Sequence, residues 1–177
     1  MRALSIVSVC LLAACSDGGG EEKKKADAPA AAMEAGQWES AFEVRSIRST
    51  DKTEPVLKVK AGDKETGSAC IAAGSEASPP GELFAGPGYT CRTQTAYNRN
   101  GRINSQYKCN RAGIGGEFMM TVQGKYTGTT FDGTVDTLTY LSGNGDFDMS
   151  RTVTARKTGA SCAAAAPAVG TSGMGGG

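Results

Sequence analysis

The chain contains no histidine. That absence removes the side chain most used for acid–base work near neutral pH and the commonest metal ligand. A nucleophile would be left with lysine or a carboxylate as its base, and no S-x-x-K signature occurs. Long hydrophobic runs are missing too. The run Ala3–Ala14 falls short of the roughly 20 residues a helix needs to cross a bilayer. Neither sign of charge dominates: nineteen Lys/Arg against eighteen Asp/Glu give +1. A nucleic-acid partner would call for a basic excess or stripe, so none is expected. Aromatic residues are scarce, and all of them lie between Trp38 and Phe147. One modest core is therefore expected, with no room for a second domain. No C-x-x-C pair occurs, and the later cysteines are far apart, so neither a zinc site nor a redox pair is indicated. No cofactor or metal is implied.

What is present begins with a leader. Met1-Arg2 is a short basic start, and the apolar run after it ends in Leu12-Ala13-Ala14-Cys15, which resembles the lipobox of bacterial lipoproteins. Residues 1–14 read as a cleaved lipoprotein signal peptide, with Cys15 lipidated on its thiol. Each buried acyl CH₂ contributes about 0.8 kcal/mol, and several chains together hold a protein stably. Ser16 follows the cysteine, where lipoproteins of Gram-negative bacteria retained in the inner membrane carry Asp. The expected location is the inner leaflet of the outer membrane, facing the periplasm. Residues 15–33 form the lipidated cysteine and a flexible Gly, Lys and Ala/Pro tether, reaching about 20–25 Å as a random coil. Residues 34–162 form the folded domain. Residues 163–177 are Ala- and Gly-rich and are expected to be disordered.

With Cys10 in the leader and Cys15 lipidated, Cys70, Cys91, Cys109 and Cys162 remain. In an oxidising compartment four such cysteines form two disulfides. Tyr89, Cys91, Thr93, Thr95 and Tyr97 share one parity, and Ile103, Ser105, Tyr107 and Cys109 share the next. A three-residue loop, Arg99-Asn100-Gly101, closes these runs as a hairpin that sets Cys91 opposite Cys109. Cys70–Cys162 is left as the second bridge.

Short alternating runs punctuated by Gly, Asn, Asp and Pro predict an all-β domain: an antiparallel meander of about seven strands forming a small barrel or a sandwich. Trp38, Ser40, Phe42 and Val44 alternate inward. Pro55–Lys60 reads as a second strand with Leu57 and Val59 on one face. The stretch Gly74–Gly88, with Pro79, Pro80 and Pro87, cannot be a central strand and holds at most a turn of helix near Glu82-Leu83-Phe84. Phe118, Met120 and Val122 make one strand face. Thr129–Leu141 switches parity near Asp136, which predicts a bulge or bend. Phe147, Met149, Val153 and Ala155 face inward, and Arg151 is the odd member of that face, placed to snorkel or to sit at an open mouth.

These features resemble DUF3617, a bacterial family of unknown function whose members are small exported proteins often carried as lipoproteins. Gly36-x-Trp38 opens the domain, Cys70 closes the first strand pair, Cys91 and Cys109 bracket the hairpin, and Cys162 follows the last strand. Glycines and threonines between Gly124 and Gly133 fit the later strands. Ile71-Ala72-Ala73 stands where the family commonly has Thr-Pro after its cysteine. The resemblance brings no catalytic residue.

Enzymatic chemistry is not expected. Asp132 and Asp136 would stand about 13 Å apart on a strand, beyond the roughly 6.5–9.5 Å of an inverting carboxylate pair. Asp146 and Asp148, about 7 Å apart by the same spacing, read as a solvated rim beside a turn, without the ordered oxygen series of a calcium loop. The expected function is a non-enzymatic periplasmic lipoprotein, monomeric, acting as a binding or adaptor module in the cell envelope. An envelope-protein contact, resembling small lipoprotein inhibitors of lysozyme, would use the 74–88 loop with Leu83 and Phe84 as an exposed apolar tip. The alternative is a carrier of a small apolar ligand or lipid in a barrel-like cavity lined by Phe118, Met120, Phe131, Phe147 and Met149. Solid core is the favoured reading of those five.

Overall fold

Two-residue alternation sets the inward faces of β-strands through much of the domain, which in this computed structural model has seven of them. Residues 32–162 are described. The expectations for the leader, lipidated Cys15, most of the tether and the C-terminal tail lie outside them. The strands are β1 (Gly36–Ser49), β2 (Lys64–Ile71), β3 (Tyr89–Arg99), β4 (Arg102–Arg111), β5 (Ile114–Tyr126), β6 (Thr130–Leu141) and β7 (Phe147–Gly159), with one helical turn, α1 (Glu82–Ala85), before β3. They form a single antiparallel sheet in the order β2-β1-β7-β6-β5-β4-β3. The sheet curls into a half-barrel, neither a closed barrel nor a sandwich. β3 to β7 form a hairpin meander, and β1 lies between β2 and β7, so β2 and β3 are the edges.

The concave face carries the core. Trp38, Ser40, Phe42 and Val44 point into it as the sequence indicates, together with Tyr107, Phe118, Phe131 and Phe147. Each large apolar side chain buried there contributes about 1.5–3 kcal/mol. Met33, assigned to the tether from sequence, is also buried, and the Glu34 amide donates to Gly128 O at 2.8 Å, so the packed domain begins slightly earlier than expected. Gly124 and Gly133 face each other across β5 and β6. A Cβ on either would stand 2.6–2.7 Å from the Phe131 ring. The ring therefore lies over a glycine pair that leaves it room, a known device for curving a sheet.

Both disulfides form. Cys91–Cys109 joins β3 to β4 with Cα atoms 4.0 Å apart, and Cys70–Cys162 joins the end of β2 to the chain after β7 with Cα atoms 5.4 Å apart. The hairpin reaches its register by a different route from the one expected. Its loop has two residues, Asn100 and Gly101, both at positive φ (54° and 70°), as a type I′ turn requires. That turn alone would offset Cys91 from Cys109 by one residue. A register shift between Thr93 and Thr95 restores the pairing.

Three further expectations are corrected. Pro55–Lys60 is not a strand: residues 50–63 form a loop, and the second strand starts at Lys64. The loop is held by Val56 N to Gly145 O at 3.0 Å and Thr50 N to Asp146 O at 3.0 Å. β6 has no bulge. Its register against β5 and β7 is unbroken, Thr137 and Thr139 point inward, and Leu138 and Tyr140 are exposed. Thr139 tolerates burial because its hydroxyl donates to Asp146 Oδ1 and accepts from Phe147 N, each at 2.8 Å. Finally, the 74–88 stretch is no exposed tip. It crosses the gap between the two free edges, with α1 packed against β1, β2 and β3.

Candidate functional site

Leu83 and Phe84, expected as a partner-facing tip, are fully buried. An open half-barrel leaves an apolar trough between its edges, and this dipeptide fills it. Phe84 meets Tyr107 and Phe131 ring to ring at 5.8 and 5.0 Å. Polar groups on the sheet hold the crossing segment. Ser40 Oγ donates to Leu83 O at 2.8 Å, Tyr107 OH to Pro79 O at 3.1 Å, and the Cys91 amide to Glu82 Oε1 at 2.8 Å. Burial pushes the Tyr107 phenol up, so it stays a neutral donor.

The plug does not fill the whole gap. Beside it a cavity of about 360 Å³ remains, near the lower end of the size range of small-molecule sites. Its wall is shared by β1 (Phe42, Val44), the 50–63 loop (Leu57, Val59, Asp63), the start of β2 (Lys64, Glu65), β3 (Tyr89), the end of β4 (Arg111) and β7 (Met149, Arg151). Larger hollows of about 530 and 630 Å³ lie over the outer side of the 50–63 loop and over β1 and β2. Exposed residues such as Lys58, Lys60, Ser68 and Thr158 make up much of their walls.

Arg151 is the centre of the smaller cavity. The alternation of β7 turns it inward, and it is 3% exposed, so it neither snorkels nor sits at the surface. One guanidinium nitrogen, Nη2, donates to Ala85 O at 3.0 Å and reaches Phe84 O at 3.5 Å, at the end of α1. The guanidinium also lies over the Phe42 ring at 5.0 Å. Its Nε is buried without a partner. Desolvation pulls its pKa down, but arginine starts from so high a value that it remains a cation. Tyr89 lines the same cavity. Its ring packs edge-on against Phe118 at 5.2 Å and lies under Arg111 at 4.8 Å, and its hydroxyl is likewise buried without a partner.

Of the five residues expected to line a carrier cavity, Met149 does so. Phe118, Met120, Phe131 and Phe147 are solid core, the reading favoured from sequence. Cys70, Cys91, Cys109 and Cys162 occupy their two bridges, and Cys15 lies outside the described residues. Tyr89, Arg111, Leu57 and Val59 were not singled out for a site. Met149 and the inward parity of Arg151 pointed to this place in the fold. Asp146 and Asp148 are separately employed: Asp146 accepts from Thr139 and the Leu141 amide, and Asp148 pairs with Arg48 at 2.6 Å. Among the described residues no group of three or more His, Cys, Asp or Glu is arranged to hold a metal ion.

Residues 33–162 match the family described as "Protein of unknown function (DUF3617)". No curated protein and no solved structure matches the chain.

Proposed function

We propose, for a chain that belongs to the DUF3617 family, a role as a non-enzymatic binding module of the bacterial cell envelope, holding a small, partly apolar ligand in the mouth of its half-barrel. The observation behind this reading is the cavity between the free edges, where apolar Phe42, Val44, Leu57, Val59 and Met149 share the wall with Arg151, Tyr89 and Arg111. A few convergent polar groups in an apolar hollow are what small-molecule sites have in common. The adaptor or lysozyme-inhibitor reading depended on an exposed Leu83-Phe84 tip, and those side chains are spent on the core.

The same proposal keeps the lipid anchor at Cys15, on the strength of Leu12-Ala13-Ala14-Cys15, and the inner leaflet of the outer membrane as the address, on the strength of Ser16. Cys15→Ser should move the protein from the membrane to the soluble fraction and abolish palmitate labelling; unchanged fractionation would remove the anchor from the proposal. For the ligand, native mass spectrometry of the full chain released from membranes should show an adduct of constant mass near one per chain. A naked chain, together with one reproducible protein crosslinked from Lys58 at the rim, would return the adaptor reading to first place.

A further inference from the structure

Resting on the cavity reading above, we infer that the ligand is an anionic amphiphile, with one carboxylate or phosphate head held by Arg151 and Tyr89 and an apolar body against Phe42, Leu57 and Val59. A guanidinium withdrawn from water requires a counter-charge or a full set of acceptors. Arg151 is 3% exposed and has the α1 carbonyls on one nitrogen only. The ion pairs among the described residues include neither Arg151 nor Arg111.

Arg151 and Tyr89 both line one cavity, and each carries a buried donor, Nε and the hydroxyl, without a partner among the described residues. An oxyanion accepts from both kinds of donor and supplies the missing negative charge. A cation would meet Arg151 without a counter-ion, and an uncharged alkyl group would leave both donors bare. Arg111, over the Tyr89 ring at 4.8 Å and also lining the cavity, adds a second positive charge to the site. The acidic residues at the site do not reverse this. Asp63 accepts from the Lys60 amide at 2.9 Å, and Glu65, exposed at the rim, attracts Arg151 through space without forming an ion pair with it, so a bound head has to sit inward of both carboxylates. Lys64 turns to Glu43 at 3.6 Å and is not needed. The third unpartnered buried group, Thr137 Oγ1, does not line this cavity.

The probes are octanoate, octyl phosphate, octanol and octylammonium, titrated calorimetrically into the full chain. One anionic probe should bind at one per chain, with octanol and octylammonium weaker by about tenfold or more, the value of a hydrogen bond to a charged group. The better of octanoate and octyl phosphate separates a fatty-acid source from a phospholipid source. Tyr89→Phe should lower that affinity by about tenfold with no change in the unfolding midpoint, because the hydroxyl has no protein partner to lose. Arg151→Met should abolish the preference for the anion, and since it also loosens α1 it is judged only beside Tyr89→Phe. Equal binding of octanol and octanoate, or an unaltered affinity in Tyr89→Phe, overturns the anion assignment while the cavity reading stands. If no probe binds and native mass spectrometry shows the naked chain, both readings fall together.

Discussion

Asp51 and Arg151 are both charges that pin an irregular segment to its neighbours, and they differ in how completely they are satisfied. Asp51 accepts from five donors: Ser49 Oγ, Thr53 N, Thr53 Oγ1, Gly145 N and Asp146 N, at 2.7–3.1 Å. Hydrogen bonds from Thr53 first, then from the Gly145 and Asp146 amides, hold its carboxyl well below the usual carboxylate range despite some desolvation. Arg151 spends one nitrogen on the α1 carbonyls and leaves another bare beside a cavity. A saturated charge can only hold structure, whereas an unsaturated one still has bonding capacity for something outside the chain.

The comparison can be broken most severely at Arg151. Arg151→Ala strips α1 of its donor and opens a void behind it, and a loss of about 3 kcal/mol or more is expected in chemical denaturation. A loss under about 1 kcal/mol would mean that the guanidinium contributes nothing to the plug.

At Asp51 the expected effect is local. Asp51→Asn keeps one acceptor and turns a donor toward amides that need an acceptor, so hydrogen exchange at Thr53, Gly145 and Asp146 should accelerate while β4 and β5 stay protected. The wild type should show the same loosening on acidification. A depressed folded-state pKa means stabilisation that is in place above the ordinary aspartate value of about 3.9 and lost as pH falls through the lower folded value. Asp51→Asn should be flat over that window, and equal acid sensitivity in both proteins would assign the effect to another carboxylate.

Two tyrosines sharpen the contrast at smaller scale. Tyr107→Phe removes the bond to Pro79 O and should cost about 0.5–1.5 kcal/mol. Tyr89→Phe should lie within about 0.5 kcal/mol of wild type, since its hydroxyl bonds to nothing in the protein. If the two substitutions cost the same, hydrogen-bond satisfaction does not distinguish plug from site here.

What could be read in advance follows the same division. Parity alone placed the inward faces of β1, β5 and β7, because one buried face forces a period of two. Cys91 opposite Cys109 was legible too, although through an expected three-residue loop whose extra residue in fact sits as a bulge near Gln94. Thr137 and Thr139 defeated the pattern in β6. Thr139 faces the core because its hydroxyl finds Asp146, seven residues on in the turn before β7, whereas Thr137 is buried with its hydroxyl unpartnered. Leu57 and Val59 alternate like a strand but serve as cavity wall, since Gly145, far along the chain, holds that loop through Val56 N and Asp51. Leu83-Phe84 between prolines and glycines looks like an exposed loop until the sheet is known to be open. The site inherits that difficulty, because its wall draws on five strands and a loop and only Arg151 broke a local rule.

The strand order also has a consequence for the order of synthesis. β1 emerges near the start of the chain, yet one of its two neighbours is β7, with Trp38 set against Lys157 and Phe42 against Val153. β3 to β6 pair with sequence neighbours and can assemble as they are made, since closing short loops is fast and carries little entropic cost. Until β7 arrives, β1 and β6 each present an open ladder, the exposed strand edge through which nascent β-proteins aggregate. Chains stopped before Phe147 should therefore aggregate, and a chaperone that shields this protein would be needed chiefly between the completion of β6 and the completion of β7.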